Sequence, residues 1–282
     1  MKFKILIDDR SNDEQLFEEH GMSILLETAN HHILFDMGKT HLFMNNAIIK
    51  KWNLKIIDIA IVSHGHIDHC GGLSYFLDMN HHADVYIQKK AMGHFYSLHH
   101  DGLHDISFPH HLIDDSKLQI IEGNLKIDSI IQLFQTTKRD LFWPSLNCTL
   151  FEKKESEMCV DSFEHEQYAI ILEGNLSCLI SGCSHCGICN IVEEAKILLG
   201  YYPNIIIGGF HFASDSRQEI EEKQIIIKTA EYLKKTSAHI YTMHCTGEKP
   251  FTILKEVLGK QIELVTTGEE RTIENYENCN SI

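Results

Sequence analysis

Proline is scarce, with four in 282 residues, and tryptophan is scarcer still at two. With only 17 glycines as well, the chain is neither collagen-like, proline-rich nor low-complexity. Positive charge is also short: 25 Lys and Arg stand against 40 Asp and Glu, a formal charge of −15. That deficit argues against nucleic-acid binding, which needs clustered Lys and Arg to neutralise phosphates. The lysines fall in isolated pairs such as Lys50-Lys51 and Lys89-Lys90, with no basic stripe. The longest apolar run, Tyr168 to Leu172, is far below the ~20 residues that cross a bilayer. The opening MKFKILIDDR meets Asp8 before a signal-peptide core can form, so neither a membrane nor an export segment is expected. Also missing are G-x-x-x-x-G-K-[ST], G-x-G-x-x-G and G-x-S-x-G, which excludes a phosphate loop, a dinucleotide fingerprint and a serine elbow.

Two residue types are plentiful. Nine cysteines form an odd set in a chain without an export signal, which predicts reduced thiols in a cytoplasm rather than a disulfide framework. Twenty histidines prompt a search for metal sites.

Alternating and buried apolar runs predict strands at Lys2 to Ile7, Met22 to Glu27, His32 to Phe35 and Asp58 to Val62, with a helix from about Thr40 to Lys51. A strand is expected at Asp84 to Gln88. From about Ala91 to Pro144 the periodicity is poor, and this His-rich stretch is expected to be a lid or substrate-covering insertion, or a polar surface loop. Strands return at Gln167 to Glu173 and Leu176 to Ser181, with a helix at Ile188 to Leu199 stopped by Gly200. A strand at Asn204 to Ile207 follows. Ser216 and Glu219 read as a capping box opening a helix to Lys235 with Ile220, Ile227 and Ala230 buried. A strand at Ala238 to Met243 and a helix near Pro250 to Leu258 end the alternation, and without any linker the expectation is one α/β domain over residues 1–282.

The strand at Asp58 to Val62 runs into SHGHIDHCGGL, which puts His64, His66, Asp68 and His69 within six residues. Imidazoles at alternate positions of a tight loop can converge on one cation while the carboxylate and the last imidazole face a neighbouring one. Neutral imidazole and carboxylate are the donors that Zn²⁺, Fe²⁺ and Mn²⁺ accept. A second cluster, Cys183, Cys186 and Cys189, has the C-x₂-C-x₂-C spacing of an iron–sulfur run, but Glu193 stands where the fourth cysteine belongs.

HGHIDH resembles the HxHxDH signature of the metallo-β-lactamase fold superfamily, which implies a four-layer αββα sandwich with metal at the sheet ends. EHGMS at Glu19, ILFDMG at Ile33, GCSHCGI at Gly182, GGFHF at Gly208 and HCTG at His244 extend the likeness along the chain. Together they resemble the subfamily labelled 7,8-dihydropterin-6-methyl-4-(β-D-ribofuranosyl)aminobenzene-5′-phosphate synthase. The resemblance implies one metal held by His64, His66 and His185 and a second held by Asp68, His69 and His244. Where the superfamily has a bridging strand-end Asp, this chain has Gly182-Cys183, so Cys183 is a candidate soft ligand and the count of divalent ions, Zn²⁺ first and Fe²⁺ or Mn²⁺ next, is one or two. Asp36 is expected to accept the free N–H of a ligating imidazole. His211 is a candidate proton donor, substrate contact or ligand. The leading expectation is hydrolysis of an ester, thioester or phosphoester of a small anionic substrate, with Asp68 orienting water and His211 protonating the leaving group. Alternatives are a synthase-like transfer from a pterin-methyl diphosphate, a di-iron redox protein and a noncatalytic metal-binding protein.

Overall fold

Within each strand, alternate side chains enter different layers. In a computed structural model that describes residues 1–214 and 216–273, Ile24, Leu26, Ile33, Phe35, Ile59 and Ile61 pack between two sheets, whereas Leu25, Leu34 and Ala60 pack on the opposite face against helices. This is the period-two geometry of a strand buried on both faces. The second sheet repeats it: Ala169, Ile171, Cys178, Ile180, Ile205 and Ile207 point to the shared middle layer, and Ile170, Leu179 and Ile206 point outward.

The first sheet has seven strands in the order Glu270–Thr272, Lys2–Ile7, Ser23–Glu27, His32–Phe35, Ile59–Ile61, Asp84–Gln88 and Leu118–Ile121. The last four are parallel, with Ile33 opposite Ile59 and Phe35 opposite Ile61. The second sheet runs Ile262–Leu264, His239–Thr242, Ile205–Gly208, Leu176–Ile180, Tyr168–Glu173, Ile131–Phe134 and Leu125–Lys126, its first four strands parallel. Helices Leu42–Ile49 and Leu73–Met79 cover the first sheet through Phe43, Ala47, Leu73 and Phe76. Helices Ile188–Leu199, Lys223–Lys234 and Glu248–Leu258 cover the second. The layers are therefore helix, sheet, sheet, helix, with three apolar clusters between them.

One expectation differs from the structure. Ser216 and Glu219 do not cap a helix: Glu219–Ile220 pairs with Ala213–Ser214 as a short antiparallel hairpin, leaving Ile220 48% exposed. The helix starts at Lys223, and its buried stripe is Ile226, Ala230 and Leu233. The stretch at 91–144 is more ordered than its pattern suggests. Leu118–Ile121, Leu125–Lys126 and Ile131–Phe134 extend the two main sheets. His94–His99 and Gly102–Asp105 join Leu150–Lys154 and Glu157–Val160 in a separate four-stranded sheet.

No helix among the described residues is long and apolar enough to cross a membrane.

Candidate metal centre

Six strands bring chemistry to one edge of the paired sheets. Asp8 and Asp9 follow Lys2–Ile7, Asp36 follows His32–Phe35, and the HGHIDH loop follows Ile59–Ile61. Cys183 and His185 follow Leu176–Ile180, His211 follows Ile205–Gly208, and His244 follows His239–Thr242. Carboxyl ends of parallel strands are where open α/β sheets place ligands. Close approach requires glycine at two points. A Cβ on Gly65 would lie 2.1 Å from the Ala91 carbonyl oxygen, and one on Gly182 would lie 2.4 Å from Ser63 Oγ.

Asp36 sits at the base of the loop, buried and in the left-handed region at φ +57°. Its Oδ1 accepts the Ser63 N–H at 2.7 Å, and its Oδ2 accepts Ser63 Oγ at 2.6 Å and His69 Nδ1 at 2.7 Å. Because Ser63 Oγ gives its hydrogen to Asp36, it accepts from His64 Nδ1 at 2.8 Å. One carboxylate thus assigns both His64 and His69 the tautomer with a bare Nε2. The remaining imidazoles are held in the same manner. His185 Nδ1 donates to Asn147 Oδ1 at 2.9 Å, His244 Nδ1 to Asp9 Oδ1 at 2.6 Å, and His66 Nε2 to Asp161 Oδ2 at 3.2 Å.

The free ring nitrogens then meet in two groups. His69 Nε2 lies 3.3 Å from His244 Nε2 and 3.1 Å from Cys183 Sγ, while Asp68 Oδ2 is 3.3 Å from His244 Nε2 and 3.5 Å from His69 Nε2. With both Nδ1 atoms donating to carboxylates, the two Nε2 atoms face each other beside the Asp68 carboxylate and Cys183, a set of donor atoms that suits a divalent cation. The other group is His64, His185 and Cys183, whose donor atoms all lie within 4.8 Å of one another. There the Nε2 atoms of His64 and His185 are buried without a hydrogen-bond partner. Such orphans are rare in proteins and mark a site for a ligand. The residues present fit a divalent cation in both groups, and Cys183 belongs to each.

The electrostatics agree. Burial first, then the surrounding imidazoles, push the His64 and His185 pKa values well below the ordinary range, so both rings are neutral at pH 7, the form in which an imidazole can bind a cation. Burial opposes charge on His244, yet Asp9, Cys245 and Asp68 raise its pKa well above normal, which shows how strongly this corner attracts positive charge.

His66 lies beside the second group, its ring 4.6 Å from that of His64 and 5.0 Å from that of His185; Nε2 is committed to Asp161, which leaves Nδ1 as its donor atom. His165, which sequence reasoning missed, shares Asp161 at 3.0 Å and accepts the Gly65 N–H at 3.2 Å. Asp9, Asn147 and Asp161 were missed too. Asp9 alone left a signal, as a carboxylate directly beyond a strand end. His211 lies with its ring 4.3 Å from that of His185 and is 9% exposed, with neither ring nitrogen hydrogen-bonded. Cys186, just before helix Ile188–Leu199, and Cys189, inside it, pack in the apolar layer against the second sheet, whereas Cys183 does not belong to that layer. A cavity of about 300 Å³ opens over the groups, its lining including Ile67, Ile106 and Leu150 together with His185, His211 and His244.

An uncharacterized protein of Methanocaldococcus jannaschii is 29% identical over 269 residues, which cover 90% of this chain and 94% of that protein. The 7,8-dihydropterin-6-methyl-4-(beta-D-ribofuranosyl)-aminobenzene-5'-phosphate synthase of the same organism is 24% identical over 291 residues, covering 95% of each. A crystal structure of a metal-dependent hydrolase of the beta-lactamase superfamily aligns with TM-score 0.79 and 26% identity over 98% of this chain and 100% of its own. A sequence model of the Metallo-beta-lactamase superfamily matches residues 17–199. With the αββα layering and the HGHIDH loop at its sheet edge, the chain belongs to the metallo-beta-lactamase superfamily.

Proposed function

We propose that the chain is a metal-dependent hydrolase of small anionic esters, thioesters or phosphoesters, working in a reducing cytoplasm with one or two divalent cations, Zn²⁺ first. The observation that carries this reading is the convergence of two imidazole Nε2 atoms, Asp68 and Cys183 at 3.1–3.5 Å beside a cavity. His64, His66, His185 and Cys183 would hold one cation, and Asp68, His69, His244 and Cys183 the other. When bound there, such a cation supplies water of lowered pKa and polarises a carbonyl or phosphoryl oxygen. Asp68, among the imidazoles of His20, His69 and His244, orients the attacking water through its carboxylate. His211, with both nitrogens free of protein partners, holds a proton on the one facing the leaving oxygen. Ile67, Ile106 and Leu150 exclude water from an apolar part of the substrate. Lys39 and His99 border the same cavity and favour its anionic end. The small sheet, which contributes Ser97, His99 and Leu150 to the wall, acts as the cover.

A second reading is a synthase-like transfer, favoured by the 24% identity to the dihydropterin synthase over 95% of both chains. The cations would then clamp a departing diphosphate. The test is turnover by metal-loaded protein of p-nitrophenyl esters, a thioester, bis-p-nitrophenyl phosphate and a pterin-methyl diphosphate. Hydrolysis of one of the first three, lost in His66→Ala, supports the proposal. Consumption of the diphosphate alone moves the chain to the transferases, and turnover of none, with metal bound, leaves a binding protein.

A further inference from the structure

Apart from Cys148 and Cys159, which reach the surface, the described cysteines are buried and divide into two populations. Cys70, Cys178, Cys186 and Cys189 belong to the three apolar clusters, where they act as small hydrophobes. Cys183 and Cys245 are equally buried, at 3% and 5% exposure, yet belong to none of those clusters. They lie with His211 beyond the ends of three adjacent parallel strands, Leu176–Ile180, His239–Thr242 and Ile205–Gly208, each of the three residues standing three positions past its strand end. Their ligand atoms all fall within 4.8 Å of one another.

We propose that Cys183, Cys245 and His211 form a thiolate-rich site for a thiophilic divalent cation, Zn²⁺ or Cd²⁺. The site shares Cys183 with the histidine groups but draws two donors, His211 and Cys245, from outside them; His211 would bind through one ring nitrogen and keep its proton on the other, and the site stands whether or not the chain hydrolyses anything. Three observations support it. The sulfur of Cys245 is fixed in position, accepting the His211 backbone N–H at 3.2 Å and lying 3.7 Å from the Cys183 carbonyl oxygen. Space for that sulfur depends on glycine, since a Cβ on Gly209 would come within 2.6 Å of it. Finally, His211 is held at φ +51° with both ring nitrogens unpartnered. A strained backbone that aims a buried, unsatisfied imidazole at two thiols is a feature to be explained by a ligand. Two cysteines and one histidine with an open fourth position make a donor set that Zn²⁺ accepts. The two thiols would give up their protons to solvent on binding while the imidazole binds neutral.

Co²⁺ or Cd²⁺ added to the full-length, metal-depleted protein tests this through the thiolate-to-metal charge-transfer absorption, which counts bound sulfurs without reference to turnover. The wild-type band should fall to about half in Cys245→Ser and vanish in the double Cys183→Ser/Cys245→Ser variant, and His211→Ala should weaken Cd²⁺ binding by about tenfold or more. A Cys245→Ser protein with the full wild-type band and unchanged Cd²⁺ affinity would overturn the proposal. Should that variant fail to fold, X-ray absorption on the wild-type Cd²⁺ protein decides: two sulfur neighbours on one cation support the site, and one or none overturns it.

Discussion

Asp36→Asn separates tautomer control from packing. Asparagine tolerates the left-handed φ of +57° and matches aspartate in shape. The Ser63 N–H is a fixed donor at 2.7 Å, so the amide oxygen must take the place of Oδ1 and the amide nitrogen that of Oδ2. Its two hydrogens then point at Ser63 Oγ and His69 Nδ1, both of which donate to that position in the wild type. His69 must move its proton to Nε2. Ser63 Oγ must turn its own hydrogen to His64 Nδ1, which forces the same shift on His64. Both imidazoles then present N–H to the cation in place of a lone pair. Loss of such an orienting carboxylate weakens metal binding by about 10–100-fold, or about 1.4–2.8 kcal/mol. Exchanging charged for neutral hydrogen bonds should reduce folding stability by roughly 1–3 kcal/mol. Zn²⁺ titration against a competing chelator, with urea unfolding of the metal-free protein, reads the two effects separately. Ser63→Ala, which frees only His64, should weaken the His64 group and spare the Asp68 group. Wild-type Zn²⁺ affinity in a folded Asp36→Asn protein would refute the tautomer reasoning.

Three further outcomes are expected. Ile207→Ala, at a fully buried position between the sheets, should cost about 2–5 kcal/mol in urea unfolding and leave metal stoichiometry unchanged. Gly65→Ala presses a methyl against the Ala91 carbonyl oxygen and the Phe95 ring and should cost about 1–3 kcal/mol while also lowering metal content, measured by elemental analysis. His31 lies away from the metal centre, 2.5 Å from Asp58 and 2.8 Å from Asp128. Burial lowers its pKa, but the two carboxylates outweigh burial and raise it above 6.5. Its contribution to stability is therefore full below pH 6.5 and lost as pH rises through the higher folded value. The difference in urea midpoint between wild type and His31→Gln should shrink between pH 6 and pH 9; a constant difference contradicts the assignment.

What could be read in the sequence depended on how locally each feature was encoded. HGHIDH is six consecutive residues behind an apolar strand, so its chemistry was visible at once. His185 and His244 came only from resemblance, because nothing nearby marks either as a ligand. The supporting groups were hidden for a physical reason: Asp161 is 95 residues from His66, and Asp9 is 235 from His244, so only the assembled sheets make the pairs. The layers were legible because period-two apolar runs such as Ile33 to Phe35 bury both faces. The small sheet was not, since Gly102–Asp105 is largely exposed and carries no apolar alternation. The mistaken helix start at Ser216 came from a capping spacing that the chain uses for a hairpin.

The most direct measurement of the central claim is anomalous diffraction at the Zn, Fe and Mn edges from crystals of protein purified anaerobically, paired with elemental analysis of the same sample. The account predicts stoichiometric metal with its anomalous peak enclosed by His69, His244, Asp68 and Cys183, by His64, His185 and Cys183, or by both groups. Stoichiometric metal lying elsewhere, or well-ordered protein with none of these histidines near an anomalous peak, would contradict it.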